Sequence, residues 1–408
     1  MDDPARDATA RVAEHLRLLT TFPDRHVGGE GNRAATSLFA DEMASLGLDV
    51  RRVPMTCVEW VPGSAWLEVG GQHPAVHVGP YSLPCELEAP FVAVSSIEEL
   101  ESEVVRGAVV LLHGQVATGQ VMPRNFTFYN PDSHRRVYQA LDTFAPAAVV
   151  AATGRDPEMV GSQYPFPLFE DGDLDIPNAY ITDVEGAQLV ALGETRARLR
   201  IASQRLPATA EHVVATLPGT GDGRIVVTAH IDSRRGSPGA LDNATGVATL
   251  LEVARLLSED YAGEAAIEFV PFNGEDDYAN PGELQWIAEN DGRFGEIALG
   301  INIDDSSQHD AVNHVSFYGC PEGVEGAVRS AMGPYPEIAE GPQWFQGDHA
   351  ILGIYGRPAI AVASAEMMSF MANYAHTEGD VLELADPALV ARTAAFIADV
   401  VRHVSPLA

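Results

Sequence analysis

Four short runs of near-continuous apolar residues punctuate the second half of the chain, at residues 225–229, 266–272, 298–303 and 358–363. Runs of this length, bounded by turn residues, predict strands buried on both faces. Between the first two, Val247, Leu250, Leu251, Ala254 and Leu257 recur at helical spacing and define one apolar face. Asp242 or Asn243 is placed to cap that helix. A closing helix is predicted after Asp386-Pro387, a cap residue followed by proline at the first helical position. Near the N-terminus, Val12, Leu16 and Leu19 mark one amphipathic segment. Leu38 or Phe39, Met43 and Leu46 mark another, which Gly47 would stop. Strands alternating with helices predict an α/β fold, a mixed but mostly parallel sheet sandwiched by helices.

The texture changes between residues 53 and 206. Strand-like pieces such as Ala108-Val109-Val110-Leu111-Leu112 and Ala147-Ala148-Val149-Val150-Ala151 alternate there with loops rich in Pro, Gly and Asn. A short helix is expected around residues 184–192. No cluster of metal-ligand side chains falls in this region. It reads as a smaller β-rich domain, residues 53–208, inserted into a main domain built from 1–52 and 209–408. The length of 408 residues leaves room for both cores.

Composition narrows the function. Residues are 46% hydrophobic and 20% charged, as in a folded globular chain. Acidic residues number 58 against 25 basic ones, giving a net charge of −33, and every basic residue is Arg. Nucleic acid and anionic membrane surfaces are therefore excluded as expected partners, since both require a positive face. Cys57, Cys85 and Cys320 lack metal or redox spacing and do not form a disulfide framework. The start, Met1-Asp2-Asp3-Pro4, has no basic segment leading into an apolar one, and no apolar run approaches a membrane span. A cytoplasmic location is the expectation.

The candidate chemistry gathers just after the strands. His230-Ile231-Asp232 follows the run 225–229, Glu275-Asp276 follows 266–272 after Asn273-Gly274, and Asp304 follows 298–303. In a parallel sheet, ligands collect outside the carboxyl ends of the strands. Each residue alone has an ordinary reading: a core histidine, a helix cap at Asp242-Asn243, a solvated turn at Glu275-Asp276. Delivery of imidazole and carboxylate groups to one sheet edge by three separate strands points instead to a shared metal site. Adjacent carboxylates point apart, so one of Glu275 and Asp276 can bind metal while the other faces a water. Asp232 is placed to orient His230. Asp305 reads as a solvated or supporting group.

Taken together, His230-x-Asp232, Pro238-Gly239-Ala240-Leu241-Asp242-Asn243 with Gly246, and His376-Thr377-x-x-Asp380 resemble the dizinc exopeptidases of peptidase clan MH. That family includes bacterial leucyl aminopeptidase and glutamate carboxypeptidase. The resemblance implies two zinc ions per chain, with cobalt or manganese as substitutes, and a peptide substrate. It implies one site of His230, Asp242 and Asp304, and a second of Asp242, Asp276 and His376, with Asp242 bridging. Glu275 becomes the general base, Asp232 the group that orients His230, and Tyr374 a substrate-binding hydroxyl; Asp380 does supporting work. The family's acidic pair is most often Glu-Glu, so Asp276 is a departure, a shorter arm that bears on the second site's affinity. The inserted region, with Val104-Val105-Arg106-Gly107-Ala108-Val109-Val110 and residues 175–181, resembles a protease-associated domain.

The leading expectation is a metallo-aminopeptidase. A carboxypeptidase on the same metals would need a basic pocket, for which Arg234-Arg235 or Arg357 are candidates. A glutaminyl cyclase would not need both metal sites complete. A non-catalytic, receptor-like relative would show broken ligand positions. Side-chain specificity and oligomeric state leave no trace in the sequence.

Overall fold

The computed structural model describes residues 4–155, 163–193, 195–276 and 281–407. Met1-Asp2-Asp3, on which the expectation about the N-terminus rests, lie outside these. Two compact units emerge. The first runs through Cys57 and resumes at Thr209. The second is Val58–Ala208, together with Met371–Asn373. The chain leaves the first unit inside one long strand, Asp49–Val61, and re-enters it inside another, Gln204–Leu217. The break therefore falls a few residues beyond position 53, because the strand continues through it.

The first unit is built on an eight-stranded sheet. Its strands are β1 (Asp49–Val61), β2 (Gln204–Leu217), β3 (Arg224–His230), β4 (Ala266–Phe272), β5 (Ile297–Ile303), β6 (Asn313–Tyr318), β7 (Ile338–Glu340) and β8 (Ala359–Ser364). Their order is β1-β2-β4-β3-β5-β8-β6-β7. The central run β4-β3-β5-β8 is parallel throughout, while β2 and β6 join it antiparallel. Every residue of β3 is buried, which explains the near-continuous apolar run at 225–229, interrupted only by Thr228. Helix α1 (Pro4–Leu19) buries Val12, Leu16 and Leu19, and α2 (Glu30–Ser45) buries Phe39 and Met43. Helices α3 (Thr245–Ser258) and α4 (Pro281–Glu289) follow β3 and β4. The closing helix α5 (Pro387–Val404) starts at Asp386, whose carboxylate accepts from the backbone N–H of Ala388 and Leu389.

Of the two residues expected to cap α3, one does so from an irregular turn. Asp242 and Asn243 lie in an irregular turn joined by a cis peptide, and α3 begins only at Thr245. Asn243 does the capping, since its Oδ1 accepts from Gly246 N at 2.9 Å and its Nδ2 donates to the Ile303 carbonyl at 2.8 Å. That second bond ties the turn to the end of β5 and leaves Asp242 free to face elsewhere.

The second unit holds a seven-stranded mixed sheet. Strands Val109–Leu112 and Ala148–Thr153 form its parallel centre, each fully buried. A helix at Asp132–Phe144 buries Val137, Tyr138, Ala140 and Leu141 on one face, and a second helix spans Asp183–Val190. Among the described residues no helix is long and apolar enough to cross a membrane.

Two imidazoles in the first unit are held neutral. Burial pushes both His212 and His349 down to about 4 from 6.5. His212 is fully enclosed, and His349 Nε2 donates to the Trp344 carbonyl at 2.9 Å. The unfolded chain binds these protons near pH 6.5 but the folded chain only near 4. Their contribution is thus fully present above 6.5 and is lost as the pH falls toward 4. The stability difference between wild type and His212→Gln, read by urea unfolding, should be constant above pH 7 and should shrink by about 1–3 kcal/mol at pH 4.5. A difference that does not change with pH would count against it.

Candidate metal centre

The carboxyl ends of β3, β4 and β5 bring the site together. His230 is the last residue of β3 and is paired in register with Phe272 of β4. Asp304 leaves β5 with its N–H bonded to the Val362 carbonyl of β8 at 3.0 Å. Asp242 arrives from the irregular turn before α3. His376 comes from the segment after Tyr374 and adopts a left-handed backbone, φ 61°.

These side chains converge as two overlapping triplets, His230/Asp242/Asp304 and Asp242/Asp276/His376, whose ligand atoms lie within 4.8 Å of one another. His230 Nε2 is 3.0 Å from Asp242 Oδ1 and 3.2 Å from Asp304 Oδ1. His376 Nε2 is 3.3 Å from Asp242 Oδ2 and 3.0 Å from Asp276 Oδ1. Asp242 therefore turns one oxygen to each triplet.

The loop carrying Glu275-Asp276 is held by Asp232. Asp232 Oδ1 accepts from Gly274 N at 2.8 Å and Glu275 N at 3.2 Å, and Oδ2 from Asp276 N at 3.0 Å. Its distance to His230 Nδ1 is 3.7 Å, too long for a hydrogen bond. The direct orienting bond expected from Asp232 to His230 is thus replaced by three bonds to the acidic loop. Asp380 does the same for the bridging turn, accepting from Leu241 N at 2.9 Å and Asp242 N at 3.1 Å.

Several groups had no signal in the sequence. Arg25 is completely buried and donates to the carbonyls of Ile231, Pro238 and Gly239, pinning both segments that carry His230 and Asp242. Asp348 and Glu283 are also buried, and their carboxyls interact. Asp305, expected to be solvated or supporting, is buried. Tyr374 is 41% exposed, and its carbonyl accepts from Thr377. Arg357 donates to the Ile297 carbonyl at the opposite end of β5, and Arg235 meets His26 Nε2 at 2.8 Å. Of the arginines considered for a basic pocket, Arg234 lies beside the cluster, with Nε 3.9 Å from Asp276 Oδ1.

The electrostatics fit a cationic guest. Burial alone would push His230 and His376 down, yet the surrounding carboxylates raise His230 well above its ordinary value and His376 to about 10. Burial pushes up Asp304, Asp305 and Glu275, with neighbouring carboxylates adding to the effect. For Asp380 the result is about 7. Burial would raise Asp242 too, but the two imidazoles hold it far below the carboxylate range. Asp276 Oδ2 is buried without a hydrogen-bond partner. Protons here do what divalent cations would do better: imidazole and carboxylate oxygens are a zinc donor set, and metal binding would release those protons.

Asp380→Asn tests the support of the bridge. The amide cannot accept at both positions, so metal affinity should fall about 10–100-fold with little change in fold. Chelator competition would read this, and unchanged affinity would rule the role out.

Comparison with known proteins follows the same lines. The pattern defining peptidase family M28 matches residues 212–401. A probable lipoprotein aminopeptidase, LpqL of Mycobacterium tuberculosis, is 25% identical over 317 residues, covering 73% of this chain and 59% of that protein. The chain thus matches less than two thirds of that relative's length. An aminopeptidase from Aneurinibacillus sp. strain AM-1 has the same fold, with TM-score 0.76 at 19% identity over 97% of this chain and 94% of that one. So does BSAP, a zinc aminopeptidase from Bacillus subtilis, with TM-score 0.69 at 18% identity over 96% and 94%. Porphyromonas gingivalis glutaminyl cyclase matches with TM-score 0.52 at 12% identity over 97% of each chain.

Proposed function

We propose, from the match of residues 212–401 to peptidase family M28, that the protein is a zinc-dependent aminopeptidase that removes N-terminal residues from peptides. The observation that carries this reading is the pair of donor triplets sharing Asp242. His230, Asp242 and Asp304 would hold one zinc ion, and Asp242, Asp276 and His376 the other. When bound, the ions supply Lewis acidity toward the scissile carbonyl and a water reactive at neutral pH.

The chain's own residues do the rest. Glu275 acts as general base, its carboxylate taking the proton of the attacking water and returning it to the leaving amine. Asp232 holds the Glu275 backbone at 3.2 Å, so the base is fixed relative to the sheet edge. The carboxylates gathered around the triplets suit a substrate's free α-ammonium, as does the net charge of −33. The zinc aminopeptidase among the fold relatives and the aminopeptidase name of the mycobacterial relative support the same assignment. The second unit's role as a protease-associated domain is part of the proposal.

Metal analysis and a peptide panel test it. About two zinc ions per chain are expected, with activity lost to a chelator and restored by zinc or cobalt. Peptides with a free N-terminus should be cut and their N-acetylated forms refused, while C-terminal amidation should matter far less. A fully active metal-free protein would end the reading. Cleavage of N-acetylated peptides with refusal of amidated ones would replace it by a carboxypeptidase, with Arg234 as the carboxylate-binding group.

A further inference from the structure

Arg234 comes two residues after Asp232, on the segment that leaves β3. Its Nε lies 3.9 Å from Asp276 Oδ1, with 22% of its side chain exposed and only 4% of that of Asp276. Asp276 and His376 are the private donors of the Asp242/Asp276/His376 triplet. Among the described residues, the private donors of the other triplet, His230 and Asp304, make ion pairs only with each other, Asp232 and Asp242. Arg25 directs its guanidinium to the carbonyls of Ile231, Pro238 and Gly239 and not to a donor of either triplet. A permanent positive charge is therefore applied to one side of the centre.

We infer that Arg234 makes the Asp242/Asp276/His376 position the weaker of the two metal positions. This rests on the two-ion reading above. The His230/Asp242/Asp304 position fills first and stays filled. The second fills according to the free zinc concentration, so activity follows metal supply through that one position. A cation beside an anionic ligand lowers the ligand's attraction for a second cation, and partial burial limits screening by salt. The shorter arm of Asp276 works in the same direction, and the variants below separate the two causes.

The test is zinc titration of the chelator-stripped full chain against a competing chelator, with cobalt absorption as a second readout of each step. The wild type should bind in two steps, the second weaker by about tenfold or more. Arg234→Met should tighten the second step by about tenfold and leave the first within about twofold. Arg234→Gln provides a second neutral side chain should the methionine variant fold poorly. Arg234→Lys keeps the charge and should keep the wild-type pattern. Asp276→Glu should tighten the second step independently of Arg234. Neutral variants that leave both steps unchanged, or shift both equally, would overturn the inference, as would a lysine variant that tightens like methionine. A wild type that takes up a single ion would instead overturn the two-ion reading beneath it.

Discussion

Replacing Glu275 by glutamine is expected to lower kcat by about 10²–10⁴-fold while the protein stays folded and keeps its zinc. Glutamine has nearly the same volume and polarity but cannot accept a proton at neutral pH. The loop has no reason to move, because its anchor is the Asp232 carboxylate acting on the backbone N–H groups of Gly274, Glu275 and Asp276. Glu275 also belongs to neither donor triplet, so its substitution removes no ligand. Zinc content and thermal unfolding should match the wild type while turnover of an aminoacyl chromogenic substrate collapses. Near-normal turnover would show that another group takes the water's proton. Loss of zinc along with activity would mean that Glu275 is a ligand.

The parts of this site that could be read from the sequence share one property: each is local. His230, Glu275-Asp276 and Asp304 stand out because an apolar run ends and a ligand begins within a few residues, and the parallel sheet sends all such ends to one edge. The supporting contacts are not local. Arg25 reaches carbonyls more than two hundred positions away, and Asp380 reaches Leu241 and Asp242 across about as many as separate two strands and their helices. No spacing announces such pairs. Asp232 was legible as a partner but not its target, because the imidazole two residues back and the loop 42 positions ahead compete for one carboxylate. The cap at Asp242-Asn243 was ambiguous for a related reason. Two adjacent side chains can each cap or bind, and only the kinked backbone assigns capping to Asn243. In the second unit the helix at Asp132–Phe144 was obscured by its charged surface, since its buried face reduces to a few residues around Val137 and Leu141.

Asp242→Asn should disrupt both metal positions at once, the largest effect expected from a single substitution here. One carboxylate oxygen faces His230 at 3.0 Å and the other faces His376 at 3.3 Å. An asparagine keeps a single acceptor oxygen, and its NH₂ group would point toward whichever cation lost its ligand. The substitution also removes a negative charge that burial makes expensive and that the two imidazoles offset in the metal-free chain. Affinity at the position that loses the oxygen should fall by at least about 100-fold, beyond the range seen when supporting groups around a metal are changed. The other position loses the bridging charge and weakens as well. Asp304→Asn is the control, because Asp304 belongs to one triplet only. After dialysis against a weak chelator, the Asp242 variant should retain almost no zinc and no measurable peptidase activity. The Asp304 variant should still take up an ion at Asp242/Asp276/His376 when zinc is supplied in excess. Two tightly held ions in the Asp242 variant would show that the carboxylate does not bridge.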